Sequence, residues 1–117
     1  MSTHAALGVR FSDGTITGCY VHWDGGTLRQ RIENFIDEKT MTGLVLLITK
    51  AQGVGGIRSF NCLPYNEPDG ERKTELLDDD RSYIITEKNW GEYHMGASYT
   101  YLVDYESERI ISRNKYD

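Results

Sequence analysis

The chain contains little proline, little cysteine and no long apolar segment. Of its 117 residues, two are proline and two are cysteine, Cys19 and Cys62. Two isolated cysteines do not form a paired metal-binding motif. In a reducing compartment they are most often small buried hydrophobic residues, and a disulfide is the less favoured alternative. The longest apolar run, LVLLI at 44–48, is far shorter than the roughly 20 residues of a membrane-spanning helix, so we expect no membrane partner.

Positively charged residues are also scarce. Lysine and arginine total 13 against 18 aspartate and glutamate residues, which gives a formal net charge of −5. This balance argues against a long nucleic acid as a partner, because such a backbone is bound by a clustered excess of basic residues. A small anionic ligand remains compatible, since a few locally placed arginines can hold phosphate groups. The opening segment MSTHAALGVRF lacks the regions of a signal peptide, and we expect a cytoplasmic protein.

The length corresponds to one ordinary domain, so the chain is predicted to form a single domain over residues 1–117. A hydrophobic content of 38% with 12 glycines is typical of a folded, turn-rich and partly β protein. The polar segment 61–80 holds both prolines and is predicted to be an irregular excursion, not a second domain. Because small domains often gain stability by assembling, we expect a homo-oligomer.

A β-hairpin is predicted near the start of the chain. Asp13-Gly14 lies between two stretches rich in β-forming residues and is a favoured pair for a two-residue hairpin turn, with strands at 5–11 and 15–23. In this register one face carries Leu7, Val9, Phe11, Ile16, Gly18, Tyr20 and His22. The opposite face carries Arg10, Thr17, Cys19, Val21 and Trp23. Both faces of the hairpin are partly apolar, so we expect both to be buried, either inside a covered sheet or against a second subunit.

The segment after the hairpin predicts a helix at 28–39. Thr27 and Gln30 have the spacing of a capping box, in which each side chain bonds a backbone N–H of the other's residue. The apolar residues that follow recur at the spacing of one helical stripe: Leu28, Ile32, Phe35 and Ile36. Residues 41–52 fit a buried strand or a helix, and a second helix is favoured, with Thr42 as its cap and Gly53 as a left-handed stop.

The C-terminal part predicts further strands at 81–86, 97–105 and 108–113, the last two forming a hairpin. Strands at both ends with helices between them usually form two layers. The predicted fold is therefore α+β, an antiparallel sheet built from N- and C-terminal β-hairpins with two helices packed on one face.

The candidate chemical groups do not form a complete catalytic set. His22 and Asp24 share a strand face and could act as a base and its orienting carboxylate, but Cys19 lies on the opposite face. The histidines His4, His22 and His94 with Asp24 supply metal-ligand types, yet no two histidines have ligand spacing on one element. The sequence therefore predicts no catalytic residue, no cofactor and no resident metal.

A ligand-binding role is better supported by residue types. The glycine-rich loop at 53–59 contains Gly55, Gly56 and Arg58, and it lacks the Gly-Lys-Ser/Thr ending of a phosphate-binding P-loop. A turn with positive φ is the favoured interpretation, and an anion cradle of exposed amides with Arg58 is the alternative. Trp23 and the tyrosines beside arginines are the groups that a nucleotide pocket uses, with rings for the base and guanidinium groups for phosphates.

The segment FSDGTITGCYVHWDG at 11–25 resembles the opening of a group of small phage-encoded proteins. These look like a β-hairpin ending in a Tyr-x-His-Trp-Asp-Gly motif, followed by a helix, a second helical piece that closes on a glycine, and strands rich in Tyr and Leu. YTYLVDY at 99–105 matches the last feature. The chain departs from the group at Gly26, where a tyrosine is more frequent.

The layout also resembles the anti-Thoeris sponges, phage proteins that sequester cyclic ADP-ribose-type immune messengers in oligomers. The resemblance implies a counter-defence protein in the cytoplasm of an infected bacterial host, which binds a nucleotide-type anionic ligand without cleaving it. Arg58 and Arg109 of one subunit would hold the phosphates. The full expected ligand-binding set is His22, Trp23, Asp24, Gly55, Gly56, Arg58, Tyr101, Arg109 and Arg113. The alternative is a protein-binding inhibitor or adaptor that acts on a host protein through the acidic surface at 75–80.

Overall fold

The structure is a computed structural model that describes residues 4–23, 25–60, 74–92 and 96–114. The candidates Asp24, Cys62 and His94, and most of the predicted 61–80 excursion, lie outside these residues. In chain order the described elements are the strands β1 (Ala5–Arg10) and β2 (Ile16–Val21), a 3-10 turn (Gly25–Thr27), the helix α1 (Leu28–Gln52), and the strands β3 (Ile57–Ser59), β4 (Glu75–Leu76), β5 (Ile85–Thr86), β6 (Tyr99–Asp104) and β7 (Ile110–Asn114).

The described strands form one mixed sheet with the order β4-β3-β2-β1-β6-β7, and β5 pairs with β2 beside β3. The two terminal hairpins, β1–β2 and β6–β7, are antiparallel as predicted, but β1 runs parallel to β6 and β2 runs parallel to β3. The α+β class is confirmed and the purely antiparallel sheet is wrong. The physical reason for the second parallel pair is the β2–α1–β3 crossover, because a helix between two neighbouring strands returns the chain in the same direction.

The N-terminal hairpin has a different register from the predicted one. Arg10 pairs with Ile16 and Gly8 pairs with Gly18, a shift of one residue. The turn is longer because Gly14, at φ +87, donates its N–H to the carbonyl of Phe11, as in a three-residue loop with a glycine in the left-handed region. A one-residue shift exchanges the faces of one strand relative to the other, so the predicted grouping of side chains is wrong.

With the observed register, one face of the sheet packs against α1. Burial of this face with the inner stripe of the helix removes the largest apolar side chains from water, which stabilises the fold. The buried residues of this layer include Leu7, Val9, Cys19, Val21, Leu28, Ile32, Leu44, Ile48, Tyr101 and Val103. The helical stripe predicted from the sequence is confirmed, with Phe35 partly buried against the core.

The two predicted helices are one helical element. Residues 41–52 are helical as favoured, but they continue directly from the first segment, and the two meet at a kink at Thr40, with φ 67 and ψ 172. The predicted caps are also wrong. The Thr27 side chain makes no capping hydrogen bond and its hydroxyl accepts one from Arg31 Nε, while Gly53 has a right-handed φ of −78. The chain enters the helix through the 3-10 turn instead.

The other face of the sheet carries no helix in the described part of the chain. A Cβ on Gly8 would lie 2.7 Å from Trp90 Cζ3, and a Cβ on Gly18 would lie 3.3 Å from the same atom. The paired glycines therefore leave a flat patch on which the indole rests. Next to it Ile85 of β5 is fully buried. Other segments of the same chain thus cover both faces of the hairpin, as expected for strands in the interior of a sheet.

The later strands are shorter than predicted. The expected strand at 81–86 is reduced to β5, β6 is trimmed by two residues at its start and one at its end, and β7 begins at Ile110.

Within the described ranges, α1 is not apolar enough to cross a membrane.

Substitution of Gly56 tests how closely the loop between α1 and β3 packs against β2. Its φ is +137, and a Cβ there would overlap the Tyr20 carbonyl oxygen. Gly56→Ala should lower the free energy of unfolding by about 3 kcal/mol or more, measured by urea denaturation. Gly14→Ala is the matched control, because φ is +87 but nothing lies within 4 Å of the new methyl group. It should cost only about 1 kcal/mol. Equal costs would contradict the packing of Gly56 under β2.

The kink at Thr40 also predicts a stability change. The region of φ 67 and ψ 172 is almost restricted to glycine, so a threonine there is strained. Thr40→Gly relieves this strain but also increases the conformational entropy of the unfolded chain. The net effect should be a rise of about 1 kcal/mol in the free energy of unfolding. Thr42→Gly, in regular helix, should instead lower it by a few tenths of a kcal/mol. Destabilisation of similar size by both variants would show that Thr40 is not strained.

Candidate functional site

The helix-free face of the sheet is the surface opposite α1. The pairing of β1 with β2 and β6, and of β6 with β7, places side chains of alternate residues on it. These residues are Ala6, Gly8, Arg10, Ile16, Gly18, Tyr20, Thr100, Leu102, Ile111 and Arg113. Trp90 crosses the middle of this face. It leaves two separate ends with different chemistry, a groove on the side of β6 and β7 and a histidine cluster near the start of β1.

The groove has a volume of about 330 Å³. Its lining combines two guanidinium groups, one indole, one hydroxyl and two aliphatic side chains: Arg10, Trp90, Gly91, Thr100, Leu102, Ile111 and Arg113. Trp90 is half-buried and rests on the glycine pair, so its ring forms a fixed wall. Ile111 is 48% exposed and extends the apolar surface toward solvent. The volume lies at the lower end of the range of small-ligand pockets, roughly 300–1,000 Å³.

The two arginines of the groove have different partners. Arg10 Nη2 donates to Asp104 Oδ2 at 3.3 Å. A backbone hydrogen bond from Ser107, and then the one from Arg10, hold the pKa of the Asp104 carboxyl below its usual value, so Asp104 is ionised and orients Arg10. Among the described residues, none forms a hydrogen bond or an ion pair with the Arg113 guanidinium. Arg113 is therefore the groove cation that is available to an anionic ligand.

The histidine cluster is formed by His4, Tyr20 and His22. The hairpin register continues beyond β1 and places His4 opposite His22, and their ring centroids are 4.7 Å apart. The Tyr20 hydroxyl lies 2.9 Å from His4 Nδ1 and 2.8 Å from His22 Nδ1. His4 Nδ1 is also 2.7 Å from the His22 carbonyl oxygen. One phenol thus joins two imidazoles from neighbouring strands.

Hydrogen-bond direction assigns the protons in this cluster. A carbonyl oxygen can only accept, so His4 Nδ1 carries a proton and donates it to the His22 carbonyl. Tyr20 then donates its hydroxyl proton to His22 Nδ1, which makes His22 the Nε2–H tautomer when neutral. Burial lowers the pKa of His22, and the nearby His4 and Arg58 lower it further, so the neutral form is favoured.

Trp23 and Arg58 lie beside the cluster. The Trp23 N–H donates to the Arg58 carbonyl at 3.0 Å and the His22 N–H donates to the Ile57 carbonyl at 2.8 Å, which extends the pairing of β2 with β3. The Trp23 ring is 43% exposed, with its centroid 5.8 Å from that of His22. Within the described chain, the Arg58 guanidinium makes no hydrogen bond or ion pair.

The glycine loop is closed by the acidic segment that follows it. Gly55 has a φ of +90 and a Cβ there would lie 2.8 Å from Asp79 Cβ, while Gly56 lies against the backbone of Tyr20. Asp79 donates its N–H to Val54, and its carboxylate accepts hydrogen bonds from Arg81. The predicted anion cradle therefore has a carboxylate over it, which repels an anion. The favoured interpretation of Gly55 and Gly56, a turn with positive φ, agrees with this geometry.

The structure separates the predicted ligand-binding residues into groups. His22, Trp23 and Arg58 come together beside β3, whereas Arg113 lines the groove from β7, level with Ala6 of β1. Arg109 is exposed in the turn before β7. Arg58 and Arg109 of one chain do not converge, because β3 and β7 are four strand positions apart, about 19 Å across the sheet.

Tyr101 lies in the core under α1 and is 3% exposed, so its ring has no free face to offer a ligand. Sequence reasoning missed Arg10 and Trp90 as groove residues and Tyr20 as the centre of the histidine cluster. The predicted two-residue turn paired His22 with Ala5. A three-residue loop, with Gly14 in the left-handed position, would have set His22 opposite His4 and revealed the pair.

The comparisons add no relative from which a function could be transferred. No protein-family model, no curated protein and no solved structure matches the chain.

Cys19 cannot join His22 in a nucleophilic pair. As predicted, it lies on the opposite face from His22, and it is fully buried in the helix-side core. Burial strongly raises the pKa of its thiol, so the reactive thiolate is suppressed. In the folded protein, Cys19 should stay unmodified by iodoacetamide at pH 8 and should react fully in denaturant, as measured by peptide mass spectrometry. Rapid alkylation of this residue under native conditions would contradict its placement.

Proposed function

We propose that the protein binds and sequesters a small nucleotide-type anionic ligand, in the groove on the helix-free face, without cleaving it. The observation that carries the proposal is the groove itself, in which two guanidinium groups and an indole surround about 330 Å³ beside an apolar floor. The ligand class is that of nucleotide-derived immune signals, such as cyclic ADP-ribose-type messengers or cyclic oligonucleotides.

Each part of the groove matches one part of such a ligand. Arg113 supplies a guanidinium that has no partner among the described residues and can take two phosphate oxygens, and Arg10 adds a second cation already oriented by Asp104. The Trp90 ring offers a face on which a base can stack. Leu102 and Ile111 cover the apolar parts of the ligand.

Sequestration is favoured over turnover by the composition of the groove. Its described lining contains no carboxylate, histidine or cysteine that could act as a general base or nucleophile. His22 is opposite His4, six residues along the strand from Arg10, which corresponds to about 20 Å. The histidine cluster therefore lies far from the Arg10 end of the groove, and Arg113, which pairs with Thr100 at the level of Ala6, is the groove cation nearer to it.

The biological setting of the proposal comes from the resemblance to small phage proteins and to anti-Thoeris sponges. In that setting the protein is a phage counter-defence factor in the cytoplasm of an infected bacterium. It works as a homo-oligomer that lowers the free concentration of a host messenger. Several sites per assembly would raise the amount of messenger held without requiring catalysis.

A second candidate is a protein-binding inhibitor or adaptor that uses the acidic surface at 75–80. The observation in its favour is that Glu75, Asp78 and Asp80 are exposed along and after the edge strand β4, whereas Asp79 folds back toward Gly55. Charge reversal of the three exposed acids distinguishes the two functions. It should abolish a protein complex and leave messenger binding unchanged.

The groove is tested by native mass spectrometry and thermal shift against cyclic dinucleotides and ADP-ribose isomers. We expect at least one of these ligands to bind and to be recovered intact after heat denaturation. Arg113→Glu should weaken binding at least tenfold, because it replaces a cation of the groove by an anion. Lys50→Glu is the matched control: it makes the same charge change on an exposed residue at the far end of α1 and should have no effect.

Three results would overturn the proposal. If no compound of the panel bound, nucleotide-type ligands would be excluded. Equal losses from Arg113→Glu and Lys50→Glu would show a general effect of net charge. Recovery of chemically altered ligand would identify an enzyme.

A further inference from the structure

The histidine cluster has two ring nitrogens that the fold leaves unused. Tyr20 and the His22 carbonyl engage the Nδ1 atoms of His4 and His22. Within the described chain, neither Nε2 atom has a hydrogen-bond partner, and neither is among the buried side-chain atoms that lack one. Both Nε2 atoms therefore reach solvent, from rings whose centroids are 4.7 Å apart and tilted by 31°.

The backbone under both rings is held by the sheet. The His4 carbonyl accepts a hydrogen bond from the Ser98 N–H at 3.1 Å, and the His22 N–H donates to the Ile57 carbonyl at 2.8 Å. Directly opposed residues on neighbouring strands have Cβ atoms about 5 Å apart. The two imidazoles are thus presented together by rigid elements, with little conformational freedom left to lose on binding.

The hydrogen bond at His4 Nδ1 is that of a metal-binding histidine. A histidine that ligates a metal through Nε2 usually donates its Nδ1–H to a carbonyl or another acceptor, which fixes the tautomer and the ring direction. His4 already does so toward the His22 carbonyl. His22 reaches the same state if its Nδ1 donates to the Tyr20 oxygen, which has lone pairs to accept from both rings.

We propose that His4 and His22 form a site for a borderline divalent transition metal such as Zn²⁺, bound through the two Nε2 atoms, with Tyr20 as the residue that positions both rings. Tetrahedral coordination at metal–nitrogen distances of about 2.0–2.1 Å needs ligand atoms roughly 3.3 Å apart. Rings with centroids 4.7 Å apart are close enough for rotation of the imidazoles to bring their Nε2 atoms to this separation.

Among the described residues, the site offers two protein ligands and leaves the other coordination positions open. In the described ranges no group of three or more His, Cys, Asp or Glu residues lies close enough to hold a metal. Arg58 is near enough to act electrostatically on His22. Its charge opposes a bare cation and favours an anion on the open positions, which makes a metal-bound phosphate or carboxylate the matching ligand class.

The test is isothermal titration of untagged, full-length protein with Zn²⁺ at pH 7.5. We expect one Zn²⁺ per chain, and at least a tenfold loss of affinity in His4→Ala and in His22→Ala. The His22 variant excludes chelation by the amino terminus with His4 alone. Tyr20→Phe should keep the stoichiometry and weaken binding about 10- to 100-fold, as expected for a residue that orients metal ligands.

Two further measurements separate loss of metal binding from misfolding of the variants and from loss of ligand binding in the groove. In the wild-type chain, ¹⁵N NMR of the histidine rings should show Zn²⁺ shifting Nε2 of His4 and His22, while Nδ1 of His4 stays protonated and Nδ1 of His22 becomes protonated. Arg113→Glu should bind Zn²⁺ normally, so failure of the groove and failure of the metal site are distinguishable. Absence of saturable Zn²⁺ binding, binding that survives His22→Ala, or coordination through Nδ1 would overturn the proposal.

Discussion

The contact between the Trp90 indole and the paired glycines Gly8 and Gly18 is the constraint on which the helix-free face depends. Any side chain at Gly8 would occupy the position of the ring, so the glycine pair sets how closely the segment after β5 can approach the sheet. From the other layer, Gln52 at the end of α1 donates to the Gly18 carbonyl at 2.8 Å. The centre of the sheet is therefore closed on both sides, and within the described part of the chain the open surface of this face lies at its two ends.

Those two ends differ in chemistry because different strands supply them. Arg113 and Arg10 come from strands whose outer faces are apolar, which gives a groove suited to a charged ligand with an aromatic part. At the other end, Tyr20 joins two imidazoles through directional hydrogen bonds, which gives nitrogen ligands with defined proton positions. The first end supports the proposed sequestration of a nucleotide-type ligand, and the second supports the proposed metal site.

The sequence predicted the local elements well and their arrangement poorly. The helical stripe around Ile32 and the opposite placement of Cys19 and His22 follow from periodicity, which depends on neighbours in the chain. The register of the first hairpin depends on one additional turn residue, Ser12, and the shift moved Arg10 onto the face where it lines the groove. The convergence of Arg58 with Arg109 was wrong for a similar reason, since strand order is not encoded in either segment alone.

By itself, the sequence determined the α+β class, the two terminal hairpins and the helix at 28–39, because each of these follows from hydrophobic spacing and turn chemistry within a short segment, and it favoured a helix over a strand at 41–52. Only the tertiary structure decided the parallel pairing of β1 with β6, the cover of Trp90 over Gly8 and the meeting of His4 with His22. These depend on contacts between residues far apart in the chain, whose free energies are set by packing between layers and not by local preference.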